Sequence, residues 1–160
     1  MVFNKFRDKG IRLIWLAFVI LLIDRFTKYW AISKLTYAEP LKILPVLNFT
    51  LTYNKGAAFS FLHAASGWQH WVLGGFAVAV SISVIVWLFN TSYRDYLLNI
   101  ALCAILGGAL GNVCDRVLYG FVIDFISVHV GDWYFAIFNI ADSAITIGSV
   151  LMLWHWLRQK

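Results

Sequence analysis

Two aspartates stand in apolar surroundings that offer a carboxylate little water: Asp124 in "GFVIDFI" and Asp142 in "FAIFNIADSAITIGSV". An unpaired buried carboxylate is costly, and within membranes such residues face a bundle interior or cavity and mark functional sites. Asn139 precedes Asp142 by one helical turn and shares its face. In a second apolar run, "GGALGNVCDRV", Asn112, Asp115 and Arg116 share a face at i, i+3 and i+4. An antiparallel pairing of these two runs would let the intervening loop fold Asp124 back over the helix ends toward Asp142. Two close carboxylates at low dielectric do not both ionise easily, so they share a proton and one apparent pKa rises. The ionised member can take a proton from water attacking an amide carbonyl. The protonated member donates to the carbonyl oxygen and later helps protonate the leaving amine. Such chemistry requires neither a metal nor a covalent intermediate.

Spacing leaves other readings open. Asp124 could pair with Arg116, Asp142 could sit at a helix start for the dipole, and Asp115 and Arg116 read equally well as interfacial anchors. The aspartates could also form a proton or ion relay in a small transporter or channel. Against the last, four short spans leave little room for an inverted repeat and no broken-helix pair is visible. A scaffold subunit would not explain two aspartates with flanking asparagines.

The elements that must position these groups are membrane helices. The 160 residues are 61% hydrophobic and 13% charged, with mean hydropathy +0.76, whereas soluble domains carry about 25% charged residues. Four apolar stretches, about 11–30, 68–89, 96–114 and 134–157, are long enough to cross a bilayer as helices. The first starts like a secretory signal, but Asp24 and Arg25 follow directly without a small-residue cleavage pattern, which reads as an uncleaved span. Lys5, Arg7, Lys9 and Arg12 precede it, Arg94 lies between the second and third stretches, and Arg158 and Lys160 end the chain. The positive-inside rule makes these segments cytoplasmic and turns the connections 31–67 and 115–133 outward.

In the first of those connections, "VLNFTLTYN" alternates apolar and polar residues between Pro45 and Lys55-Gly56, the period of a half-buried strand. "FVIDFISVHV" is a second β-rich run. The expected fold is an all-α integral membrane protein, a single domain over 1–160. It has four transmembrane helices, both termini cytoplasmic, and a small antiparallel β-sheet cradle on the outer surface, its apolar face toward lipid or the helix ends. Cys103 and Cys114 sit in one apolar segment and read as packing residues. The histidines, His63, His70, His129 and His155, lack metal-ligand spacing. A net charge of +5 and pI 9.4 come without a basic, aromatic-interleaved stripe outside the spans, so nucleic acid is not indicated.

Five motifs stand in order along the chain: "DRFTK" (24–28), "NKGAAFS" (54–60), "GGALGNVCDR" (107–116), "VIDF" (122–125) and "FNIAD" (138–142). Over essentially its whole length the chain resembles the bacterial lipoprotein signal peptidases, or signal peptidase II. The resemblance implies an aspartic endopeptidase of the inner membrane that removes the signal peptide from diacylglyceryl-modified prolipoproteins, cutting just before the lipidated lipobox cysteine. It places the catalytic pair on Asp124 and Asp142 and the other motif positions on Asp24, Lys28, Asn54, Gly108, Asn112, Arg116, Asn139 and Ala141, with no departure at a position the family needs. It further implies inhibition by globomycin-type cyclic peptides, a setting among membrane phospholipids, no cofactor and a monomer.

Elementary chemistry gives those positions jobs. Asn112 and Asn139 can orient the aspartates by hydrogen bonds, and Asn54 can hold an extended substrate or the outer loop. Arg116 can bind substrate carbonyls or steady an acidic group, and Asp24 and Lys28 at i, i+4 read as a structural pair. "NKGAAFS" reads as a flexible element beside the site.

Overall fold

Apolar segments of about twenty residues satisfy their backbone in lipid only as helices or closed barrels, and this chain forms helices at its hydropathy maxima. A computed structural model describes residues 8–56 and 69–159. A 3-10 turn (Gly10–Leu13) leads into α1 (Ile14–Lys34), followed by β1 (Leu41–Leu44), β2 (Leu47–Asn54), α2 (Gln69–Asn90), α3 (Tyr96–Tyr119), β3 (Val122–Val130), β4 (Trp133–Tyr134) and α4 (Ile140–Arg158). Lys5, Arg7, His63, Lys160 and positions 57–60 of the "NKGAAFS" motif lie outside the described residues.

Among the described residues, α3, α4 and the 71–90 stretch of α2 are long and apolar enough to cross a membrane. In α1 the apolar run is interrupted by Asp24, Arg25 and Lys28, yet Asp24 and Lys28 are fully buried while Trp15, Phe18, Leu22 and Phe26 face outward. The polar residues are thus turned into the bundle and the apolar ones away from it.

Helix α3 is the centre, packing against α1, α2 and α4. Its Leu98, Leu102 and Leu106 meet Ala17 of α1 and Val84 and Leu88 of α2 in the apolar core. Small residues let the backbones approach. A Cβ on Gly108 would overlap the carbonyl oxygen of Ala141, and one on Gly148 would lie 2.7 Å from that of Ala101.

One end of the bundle gathers the described parts of the basic flanks. Gly10 N donates to Thr91 O (2.9 Å), Tyr93 N donates to Asp8 O (2.8 Å), and His155 Nδ1 lies 3.4 Å from Asp95 Oδ1. The other end carries a four-stranded antiparallel sheet in the order β1-β2-β3-β4. Trp30 of α1 packs edge-on against Phe49 and Phe125, tying the sheet to the helices.

The sheet departs from the sequence reading in two respects. A bulge between Phe49 and Thr52 breaks the expected alternation, and Asn48, Thr50 and Leu51 are all buried, as an inserted residue re-aims those after it. Strand β1, between Pro40 and Pro45, was not anticipated.

Three helix ends also differ. Helix α1 runs on to Lys34 rather than ending near 30. Helix α3 continues past 114 to Tyr119 and ends at Gly120, whose φ of 76° supplies the left-handed cap. Helix α4 begins at Ile140 rather than near 134, because the preceding residues stay extended. Phe138 N donates to Ile126 O at 3.0 Å, and Ile126 N donates to Phe138 O at 2.8 Å. Asp142 therefore lies in the first turn of α4, not two turns in.

Close approach gives a test of this packing. Gly148→Val must push α3 and α4 apart and is expected to cost about 1–3 kcal/mol by overpacking. Gly75→Ala, whose added carbon meets nothing within 4 Å, is expected to leave the thermal unfolding midpoint in detergent unlowered. Equal midpoints for the two variants would contradict the packing.

Candidate active site

Asp124 is placed by a strand and Asp142 by a helix start. After the Gly120 turn, β3 carries Asp124 opposite Thr52 of β2, with its side chain almost fully buried. Asp124 Oδ2 accepts from Asn54 Nδ2 at 3.0 Å, and Oδ1 accepts from Asn139 Nδ2 at 2.7 Å. The orientation of the Asn54 amide is fixed from the other side, because its Oδ1 accepts the N–H of Gly56 at 2.9 Å.

Asn139 and Asp142 form a capping box at the start of α4. Asn139 Oδ1 accepts the N–H of Asp142 (2.9 Å), and Asp142 Oδ2 accepts the N–H of Asn139 (3.2 Å). This satisfies N–H groups that the first helical turn leaves without partners, and puts a carboxylate at the positive end of the helix dipole. The other Asp142 oxygen, Oδ1, accepts from Asn112 Nδ2 at 2.7 Å. Asn139 thus bonds both aspartates at once, and it is itself fully buried.

The amide of Asn112 is oriented by its neighbours. The Lys28 ammonium can only donate, and it donates to Asn112 Oδ1 at 3.0 Å, which leaves Nδ2 to face Asp142. Asn139 Nδ2 also reaches Asn112 Oδ1 at 3.2 Å. An aspartate at either position could accept but, once ionised, could not donate.

Beneath the asparagines lies a buried ionic layer. Lys28 Nζ sits 2.9 Å from Asp24 Oδ2 and 2.7 Å from Asp115 Oδ2, while Arg25 pairs with Asp115 Oδ1 from the outside. Two cations and two anions balance, as a buried ionic cluster requires. Among the sequence-predicted residues, Gly108 and Ala141 form the α3–α4 backbone contact. Arg116 is half-buried, donates from Nη1 to Asn112 O at 3.2 Å, and has Asp142, Asp124 and Asp115 as its charged neighbours. The close ion pairs of the region run through Asp115 rather than between Arg116 and Asp124.

The sequence gives Arg25 no site role and offers Asp115 only as a face-mate of Asn112 and Arg116. The signal in the sequence was the i, i+3 spacing of Asn112 and Asp115, which an interfacial anchor satisfies equally well.

Chemically, the site holds two carboxylates joined through one residue, Asn139. Burial first, and the negative charge of Asp142 second, push Asp124 up to about 7, against the opposing pull of Asn54, Asn139 and the Lys28 charge. Asp124 is therefore still protonated in a large share of molecules at near-neutral pH.

Comparisons with known proteins converge. A family model described as Signal peptidase (SPase) II matches residues 16–158. A relative named lipoprotein signal peptidase from Pseudoalteromonas atlantica is 46% identical over 157 residues, 98% of this chain and 96% of its own. One of the same name from Acinetobacter baylyi is 51% identical over 143 residues, 88% of this chain and 80% of its own. Two solved bacterial membrane enzymes, both determined by the in meso method, are also similar. One is 31% identical with a TM-score of 0.82, covering 94% of this chain and 92% of that one. The other is 30% identical with a TM-score of 0.84, covering 96% and 98%.

The capping box separates two roles of Asn139. Asn139→Ala is expected to destabilise the protein by about 1–2 kcal/mol through the lost cap, and Asn139→Ser, which keeps a cap oxygen, to recover part of that. Thermal unfolding of the purified variants measures the difference, and equal midpoints would mean that the cap contributes nothing.

Proposed function

The chain belongs to the signal peptidase II family of membrane aspartic peptidases, and on that premise we propose that it removes the signal peptide from prolipoproteins by water attack between Asp124 and Asp142. The observation that carries this reading is Asn139, whose side-chain Nδ2 donates to Asp124 and whose backbone N–H donates to the Asp142 carboxylate, in a site largely closed to water.

In this mechanism Asp124 keeps the proton and Asp142 is the carboxylate. Asp142 takes a proton from the attacking water as oxygen adds to the scissile carbonyl, and Asp124 gives its proton to the carbonyl oxygen. When the tetrahedral species collapses, Asp142 passes its proton to the leaving amine and Asp124 recovers one from the diol. Asn54, Asn112 and Asn139 hold the carboxylates in place, and Arg116 steadies the negative charge they share. Gly108 and Ala141 let α4 start close enough to α3 for Asn112 to reach Asp142.

The setting is the bacterial inner membrane, with the whole chain acting as a single membrane domain and as a monomer. All four helices cross, α1 with its outward apolar side included, both termini are cytoplasmic, and the sheet cradles the site at the periplasmic surface. The basic segments gathered at the end opposite the sheet support this orientation. A site at that boundary meets a signal helix in the bilayer and diacylglyceryl chains in the outer leaflet without extracting either. Cleavage falls just before the lipidated lipobox cysteine, and a globomycin-type cyclic peptide blocks the pair.

Cleavage of a lipidated lipobox peptide tests this directly. Asp124→Asn and Asp142→Asn are each expected to lower turnover about a hundredfold or more, the scale of general acid–base catalysis, while the variants stay folded. Undiminished turnover in either would sink the assignment, as would a native enzyme indifferent to globomycin. Turnover depends on the acid form of Asp124, so it is expected to fall as pH rises through about 7. Asn54→Ala removes a bond that favours the ionised form, and should move that limb to higher pH.

A further inference from the structure

We infer that Lys28, Asp24 and Asp115 form one clamp that registers both dyad aspartates through the backbone, which makes the three of them positioning residues for the reaction. The inference rests on the catalytic reading of Asp124 and Asp142. Its basis is a correspondence between the two arms of the ionic layer. Asp24 Oδ1 accepts the N–H of Ala141 at 2.9 Å, and Ala141 immediately precedes Asp142. Asp115 Oδ2 accepts the N–H of Ile123 at 3.1 Å, and Ile123 immediately precedes Asp124. The single ammonium of Lys28 contacts both acceptors, at 2.9 and 2.7 Å. All three side chains are fully buried.

Each arm does what neutral packing could not. The N–H of Ala141 lies in the first turn of α4, where intrahelical bonding leaves donors open, and a carboxylate acceptor binds it more strongly than a neutral oxygen would. The N–H of Ile123 is fixed the same way before the strand delivers Asp124. Two such carboxylates close together require a cation between them. Because one ammonium serves both, the start of α4 and the β3 strand are referred to one point on α1. Lys28 acts once more through the side chains, since Asn112 Oδ1 accepts from it and Asn112 Nδ2 donates to Asp142.

A clamp of this kind has a kinetic signature that a purely structural pair lacks. Asp124 is faced by Asp142 from α4, by Arg116 from α3 and by Lys28 from α1, and the Lys28 charge is among those that pull its titration down. The charge-balanced variant Lys28→Gln/Asp24→Asn removes one charge of each sign and leaves Arg25 paired with Asp115.

With purified full-length protein and a lipidated lipobox peptide, the double variant is expected to fold and to lose about 10- to 100-fold in kcat, the scale of a small misplacement of reacting groups. KM should stay within about twofold, and the alkaline limb should move upward. Native kcat with a native limb in the folded variant overturns the clamp, and so does a loss confined to KM. Should the double variant fail to fold, Asp115→Asn carries the test, with lower kcat at unchanged KM expected and native kcat overturning it. Asp124→Asn is assayed beside them: activity there defeats the catalytic reading itself, whereas inactivity there with native kcat in the clamp variants defeats the clamp alone.

Discussion

A charge withdrawn from water must be met by an opposite charge or by hydrogen bonds on its exposed atoms, and this bundle is organised around meeting that demand at Lys28. Its ammonium has no access to solvent and reaches two carboxylates and one amide oxygen. From there the connections spread outward in order. The carboxylates hold the backbone before each aspartate, Asn112 holds Asp142, and Asn139 joins Asp142 to Asp124. Four segments distant in sequence, α1, α3, β3 and the start of α4, are brought to one place by this polar core, while leucines and alanines around it supply the packing. The close α3–α4 approach at Gly108 is what lets the asparagine on one helix reach the carboxylate on the other.

Much of this was legible in the sequence, for identifiable reasons. Hydropathy located the helices because apolar length is a strong signal, and the i, i+4 placement of Asp24 and Lys28 put them on one face of α1. Asn139 at i−3 to Asp142 was recognisable as a neighbour, and its cap geometry sharpens that into two bonds of defined direction. The start of α4 was misjudged because "FAIF" is apolar enough to extend a helix, while the bonds from Phe138 to Ile126 that keep it extended come from a distant strand. The bulge in β2 and the short β1 likewise depend on pairing partners and not on local pattern.

Asp115 shows most clearly what spacing cannot convey. Its sequence neighbours, Cys114 and Arg116, suggest a polar helix end at a membrane boundary. Only the arrival of Arg25 and Lys28 from α1, and of the Ile123 N–H from the following strand, turns it into a fully buried acceptor. Lys28 was read as half of a local pair for the same reason, since the second carboxylate it meets lies on another helix. Long-range partners of this kind leave no periodic trace in a single chain.

The proposed reaction depends on Asp124 holding a proton near neutral pH. That state can be observed without turnover by isotope-edited infrared spectroscopy of the protein with labelled aspartate carboxyls, titrated from about pH 5 to about pH 9, with Asp124→Asn as the reference that assigns the band. The expected result is a carboxylic acid signal, absent from the reference, that persists toward neutrality and is lost with a midpoint at about 7. A titration in which that signal is already gone at about pH 5, near the range of an ordinary carboxylate, would contradict the account.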